Sequence, residues 1–372
     1  MKIEEFALER IQSLHENGVE LNLSDSGVHP YDLRTLLTVE ERESLFDIEL
    51  GYGHTHGSPV LREAIAGLYA NRTADEVIVT TGGIEANFLL VMTLVAPGDR
   101  VVVLTPNYLQ IAGWARAAGG DVREVPLDGR NDWSLDRQRL EDEIVSGTCL
   151  VTLCVPNNPT GTVLSDEDRA WLIDRCARVG AWLHVDEVYK GSEMDGDEPP
   201  SWADAGAHVL VSNSTSKALA LPGLRLGWLV GPAAQIYAAW QRKDYTTITA
   251  SALSEAIAVR VLEPGRRAKI LKRSRAWLRG NRDLLGDWVA ANEAFDWVRP
   301  TAGGMGFLSY DLPIGSDALS ERMRVEESTL IVPGTCYGLD GHFRVGIGAP
   351  PAVLEQGLAR VAALAARIKG AA

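Results

Sequence analysis

The stretch SNSTSKALALPGLRLGW, residues 212–228, sets one amine among hydroxyls: Lys217 follows Ser214, Thr215 and Ser216 and precedes Arg225 by eight positions. Its neighbours are small or aliphatic rather than charged, and the chain returns at once to apolar sequence. A lysine in a partly desolvated pocket has a lowered pKa and becomes an amine nucleophile able to form a Schiff base with an aldehyde. The hydroxyls beside it can hold a phosphate. Taken alone, Lys217 also reads as a solvated surface lysine.

Two further charges stand in apolar sequence. Asp186 ends the run in HVDEVYKG, where a carboxylate is costly without a partner, whether a ligand or a structural ion pair. Arg344 lies between Phe343 and Val345, and its planar fork suits a carboxylate better than a solvated face. Gly83 and Ile84, in TTGGIEANF, open a helical pattern and can offer backbone N–H groups to an anion. NNPTG, with Asn158, reads as a β-turn on its own.

Short apolar runs alternate with helical patterns from about residue 60 to about 235, which predicts an α/β fold with a mostly parallel sheet covered by helices. The strands are expected at EVIVTT, RVVVLTP, CLVTLCVP, AWLHVDE, HVLVSNS and LGWLVG. Each ends in polar or Gly/Pro-rich residues, where open α/β sheets gather ligand-binding groups. VLREAIAGLY reads as a helix, and SDEDRAWLIDRCARVG opens with a capping-box pattern from Ser165 to Asp168. GSEMDGDEPPSWADAGA reads as an acidic surface loop without chemistry. After about residue 265, long Arg-rich helices, short strands and a last amphipathic helix predict a smaller α+β domain. The expected division is 31–265 for the large domain, with 1–30 and 266–372 in the small one.

The chain of 372 residues carries 36 Lys plus Arg against 50 Asp plus Glu, a formal charge of −14, which disfavours nucleic acid as a partner. Four cysteines without CxxC spacing predict reduced, mostly buried thiols and no zinc site. The start MKIEEFALERI is acidic where a secretory signal is basic, and the run NFLLVMTLVA is too short to span a bilayer, so a cytoplasmic protein without membrane contact is expected. TTGGIEANF is not GxGxxG, which weakens a dinucleotide-binding reading. A ligand-sensing transcription regulator would carry a basic helix-turn-helix arm that this acidic chain lacks.

Taken in order, these blocks resemble the fold type I pyridoxal-phosphate enzymes of the aminotransferase class I/II group over nearly the whole chain. The resemblance implies a seven-stranded large-domain sheet, pyridoxal 5'-phosphate as cofactor, and Lys217 as the lysine of the internal aldimine. It implies Ser214, Arg225 and the Gly83 and Ile84 amides around the phosphate. Asp186 falls where the family pairs the pyridine nitrogen, and Asn158 and Tyr189 where it binds the phenolic oxygen. Tyr108 falls at the ring-stacking aromatic and Arg344 at the partner of the substrate α-carboxylate. Tyr52, in GYGHTHGSP, matches a tyrosine that reaches the neighbouring subunit's phosphate, so a homodimer with shared active sites is implied.

One segment departs from the family. LNLSDSGVHPYDL stands where NLGxGxPD is commoner, and its SGVH, with RKDYTTIT at 242–249, resembles the capreomycidine synthases, pyridoxal-phosphate enzymes that eliminate and cyclise a hydroxylated arginine. Gly27 and His29 of this segment are expected at the substrate, His29 as a second acid or base. His54 and His56 are expected near the cofactor, and Asp244 can meet a cation or water. Tyr245 and Thr246 carry no assigned role. The expected function is chemistry at the α carbon of an L-amino acid through an aldimine and quinonoid, an aminotransferase. The alternative is a β-eliminating lyase or cyclase, or a decarboxylating or oxidative enzyme of natural-product biosynthesis.

Overall fold

The computed structural model describes residues 2–371. β-Branched runs form its centre, a seven-stranded sheet in the spatial order Val77–Thr80, Gly227–Val230, Val209–Ser214, Trp182–Asp186, Thr148–Cys154, Arg100–Thr105 and Asp121–Pro126. The ladders are parallel except around Gly227–Val230, which runs antiparallel to both neighbours. The middle strands are buried on both faces, which is why they read as continuous apolar runs. Asp121–Pro126 escaped the sequence reading because, as an edge strand, it buries only Val125 well and carries charge elsewhere.

Helices cover both faces. Gly83–Leu94 packs against Gly227–Val230 and against Ala233–Lys243, and the apolar run NFLLVMTL belongs to this helix. Among the described residues no helix is long and apolar enough to cross a membrane. Ser165 caps Asp166–Val179 by accepting from the Asp168 amide at 3.0 Å; the reciprocal half of the expected capping box does not form. A second core surrounds a four-stranded sheet with Phe295–Trp297, Met305–Tyr310, Val332–Pro333 and His342–Gly346, closed by the last helix through Leu354, Leu358, Val361, Ala365 and Ile368. Near the N-terminus, Leu21–Asn22 pairs in parallel with Thr329–Leu330. No disulfide forms: Cys154, Cys176 and Cys336 are buried and Cys149 is partly so.

GSEMDGDEPPSWADAGA is only in part the surface loop expected: its tip at 195–197 is exposed and most of its flanks is not. Glu193, Met194 and Trp202 are buried, because the Arg-rich helix Pro264–Ala290 supplies the missing charge. Arg267 and Lys190 reach Glu198 at 2.6 and 2.5 Å, and Arg275 reaches Glu193 at 3.4 Å. Paired in this way, the carboxylates can be buried.

Two glycines hold backbones in contact. Gly161, at the end of NPTG, has φ +70°, and a Cβ there would stand 2.4 Å from Pro300 Cβ. A Cβ on Gly227 would lie 2.4 Å from the Gly83 nitrogen, inside the turn that opens Gly83–Leu94. Gly227→Ala is therefore expected to displace that turn and to destabilise the cofactor-free protein by about 1–3 kcal/mol. Urea unfolding measures this, and a variant as stable as the parent contradicts it.

Candidate active site

The parallel strands point their carboxyl ends at a cavity of about 390 Å³. Its lining combines the start of Gly83–Leu94, strand-end groups Asp186 and Ser214, the helix Ala7–His15 and Arg344 from the four-stranded sheet. Lys217, Arg225, Asn158, Tyr108 and Tyr189 line the same space.

At one end lies an anion cradle. Gly82 has φ +81°, and a Cβ on it would meet Arg225 Nη2 at 2.6 Å, so the guanidinium lies directly on the turn. A Cβ on Gly83 would stand 3.8 Å from Ser214 Oγ. The first amides of a 12-residue helix, a hydroxyl and an arginine without a carboxylate partner among the described residues thus converge. Arg225 itself has φ +49°, turned out of the extended chain by the Pro222–Leu224 turn.

Asp186 lies deeper. Asn87 Nδ2 donates to its Oδ2 and the Val188 amide to its Oδ1, each at 3.0 Å, and no lysine or arginine pairs with it among the described residues. Burial raises its pKa despite these bonds. Such a carboxylate gains most from a cation brought into the cavity. Below it a polar chain runs through the sheet: His184 touches Thr152 Oγ1 at 2.9 Å and Ser212 Oγ at 3.0 Å. Burial holds the His184 pKa down to about 3, so the ring is neutral.

The N-terminal strap SDSG closes the other side. Arg344, 1% exposed, donates through Nη2 to the Ser24 carbonyl and through Nη1 to Asn158 Oδ1 at 2.8 Å. With its amide oxygen taken, Asn158 has Nδ2 to offer as a donor. Tyr189 donates its hydroxyl to Ser26 Oγ at 2.7 Å, and Lys217 Nζ donates to Asp25 Oδ1 at 3.2 Å. A Cβ on Gly27 would stand 3.6 Å from Lys217 Cδ. Tyr108, edge-on to Phe6, donates to Glu9 Oε1 at 2.6 Å.

Asp25 and Glu9 were not foreseen. Asp25 is 192 residues from Lys217, and its only sequence signal is an acid inside a segment that departs from the family pattern.

Other residues singled out in the sequence lie outside this cavity. His29 does not line the cavity; its ring stacks on Trp277 at 5.6 Å because Arg273 and Gly348 hold its backbone outward. The acid/base role expected of it therefore has no geometric basis. His56 packs on Trp240 at 4.3 Å, and His54 is exposed and away from the lining. Tyr52 is 87% exposed and lines nothing in its own chain. Asp244 and Tyr245 are exposed outside the cavity, whereas Thr246 donates to Glu85 Oε1 at 2.5 Å.

The Lys217 ammonium, above all other influences, holds Asp25 below the usual carboxylate range at about 2, and the Gly27 amide assists. A depressed folded pKa contributes stability above the unfolded value, and the contribution is lost as pH falls through the folded one. In the cofactor-free protein Asp25→Asn is expected to lower the thermal midpoint above about pH 5, with the gap closing below about pH 4. A gap that does not change across this range contradicts the pair.

The cradle and Asp186 fit pyridoxal 5'-phosphate: a Cβ at Gly82 would push on the Arg225 guanidinium of the cradle, and Asn87 Oδ1 is a buried acceptor without a partner. The family described as aminotransferase class I and II matches residues 22–361. Capreomycidine synthase from Streptomyces vinaceus is 32% identical, over 91% of this chain and 88% of its own. A PLP-dependent aminotransferase from Streptococcus suis superposes with TM-score 0.94 at 26% identity, covering 99% of each chain. The PLP-dependent cyclase OrfR superposes with TM-score 0.90 at 28% identity, covering 100% of this chain and 99% of that one. The chain belongs to the class I and II aminotransferases, enzymes of fold type I that use pyridoxal 5'-phosphate.

Proposed function

We propose that this enzyme acts at the α carbon of an L-amino acid and transaminates it, with Lys217 as the amine that holds the cofactor and moves the Cα proton. The carrying observation is that Lys217, the unpaired carboxylate Asp186 and the buried guanidinium of Arg344 line one cavity. Bound there, pyridoxal phosphate supplies an aldehyde for the amines and a ring that takes up negative charge from the substrate Cα.

Ser214, Arg225 and the Gly83 and Ile84 amides hold the phosphate. Asp186 would hold the ring nitrogen protonated, Asn158 and Tyr189 would donate to the phenolic oxygen, and Tyr108 would pack on the ring. Arg344 receives the substrate α-carboxylate; its Nε has no partner in the folded chain. Released from the cofactor, Lys217 is the base that takes the Cα proton and can return it elsewhere.

A homodimer belongs to this reading. Tyr52, Tyr245 and Ile248 are 87%, 92% and 42% exposed, apolar side chains that a second copy would cover, with Tyr52 reaching the phosphate of its partner. Sedimentation of the holoenzyme as a 40.3 kDa monomer contradicts it.

A second reading, elimination and cyclisation, draws on the likeness to capreomycidine synthase and to the OrfR cyclase and on the unusual SDSG strap. The two differ in stoichiometry. Holoenzyme with an amino acid and no acceptor is expected to yield one 2-oxo acid per site and stop until a second 2-oxo acid is added. Sustained turnover without an acceptor contradicts transamination. Lys217→Ala is expected to lose the visible Schiff-base absorption and at least about a thousandfold in rate; an unchanged spectrum removes the lysine's role.

A further inference from the structure

The cavity contains more carboxylates than the reading above employs. Lys217, Arg225 and Arg344 are its cations, and Glu9, Glu16, Asp25 and Asp186 its anions. Arg225 serves the phosphate, Asp186 the ring, and Arg344 the substrate carboxylate. Glu9, Glu16 and Asp25 are left over.

Two of the three come from one helix. Ala7–His15 and its C-cap Glu16 turn Glu9, Gln12, Ser13 and Glu16 toward the cavity, spacings that fall on a single helical face, and every one of them is polar. Leu8, which lines the same cavity, is buried in the core and fixes the helix's rotation. Glu16's carboxylate makes no hydrogen bond or ion pair with any described residue, although the wall it occupies faces a buried arginine that lacks a partner at Nε. Asp25 has Lys217 as its one ion-pair partner, the very amine that must engage the cofactor.

We propose that the substrate is an L-amino acid whose side chain ends in a cation, guanidinium or ammonium, received by Glu16, Glu9 and Asp25. The proposal rests on the reading of Arg344 as the α-carboxylate anchor. A zwitterion held there presents its side chain to the remaining wall, whose charged groups are Glu9, Glu16 and Asp25, the last shared with Lys217 until that amine engages the cofactor. A neutral side chain would forgo attraction to these carboxylates, and an acidic one would be repelled.

Holoenzyme without an acceptor, titrated calorimetrically with L-arginine, L-lysine, L-norleucine and L-glutamate, tests this. One cationic amino acid is expected to bind about tenfold or more tightly than norleucine, with glutamate weakest. The arginine and lysine arms distinguish guanidinium from ammonium. The preference for the cationic amino acid over norleucine is expected to shrink as salt rises and in Glu16→Gln, an exposed position at the cavity wall. Norleucine or glutamate binding as tightly as both cationic amino acids overturns the proposal and leaves the Cα reading standing, as does a Glu16→Gln variant with its preference intact. Failure of all four to bind overturns both.

Discussion

Arg344 is the joint on which the site depends. A guanidinium 1% exposed must find acceptors or destabilise the fold, and the two it finds come from different parts of the molecule. One is the Ser24 carbonyl of the N-terminal strap, and the other is the amide oxygen of Asn158 after the strand Thr148–Cys154. Strap, small sheet and large sheet are thereby drawn together around one cation. The strap is fixed further where Gly346 and Gly348 leave no room for a Cβ against the carbonyls of Asp25 and Gly27. From that position it delivers Ser26 to Tyr189 and Asp25 to Lys217.

The electrostatic arrangement follows from this geometry. The cradle at Gly83 and Arg225 offers positive charge at one end of the cavity, and Asp186 offers negative charge at its floor. A doubly functional ligand with a phosphate and a protonated ring nitrogen satisfies both at once. The remaining charges belong to the substrate: positive at Arg344, negative along the helix face of Glu9 and Glu16. Arg344 and Asp186 lack an oppositely charged partner among the described residues, which is the pattern expected when binding rather than folding sets the requirement.

Much of this was legible in the sequence, for a local reason. Lys217, Asp186 and Arg344 are polar groups in apolar runs, and their cost is visible without coordinates. The strands around them are β-branched runs buried on both faces, so the sheet and its ligand-binding edge could be read as well. What escaped was non-local. Asp25 gains meaning only from a lysine 192 residues away, and Glu9 and Glu16 look like ordinary polar positions of an amphipathic helix until its polar face is seen to meet a cavity. The strap was singled out, but its histidine was favoured over its aspartate; His29 turns out to pack on Trp277. Likewise, the acidic segment after Lys190 read as a loop because its arginine partners lie about two turns apart along a distant helix.

The central claim is that the strap and the helix Ala7–His15 complete a site in which cofactor and substrate supply the missing charges. A crystal structure of the holoenzyme with a cationic amino acid tests it most directly. The account predicts the phosphate among the Gly83 and Ile84 amides, Ser214 and Arg225, the α-carboxylate on Arg344, and the side-chain cation against Glu9, Glu16 or Asp25. A carboxylate bound away from Arg344, or a side chain directed away from the helix, would contradict it.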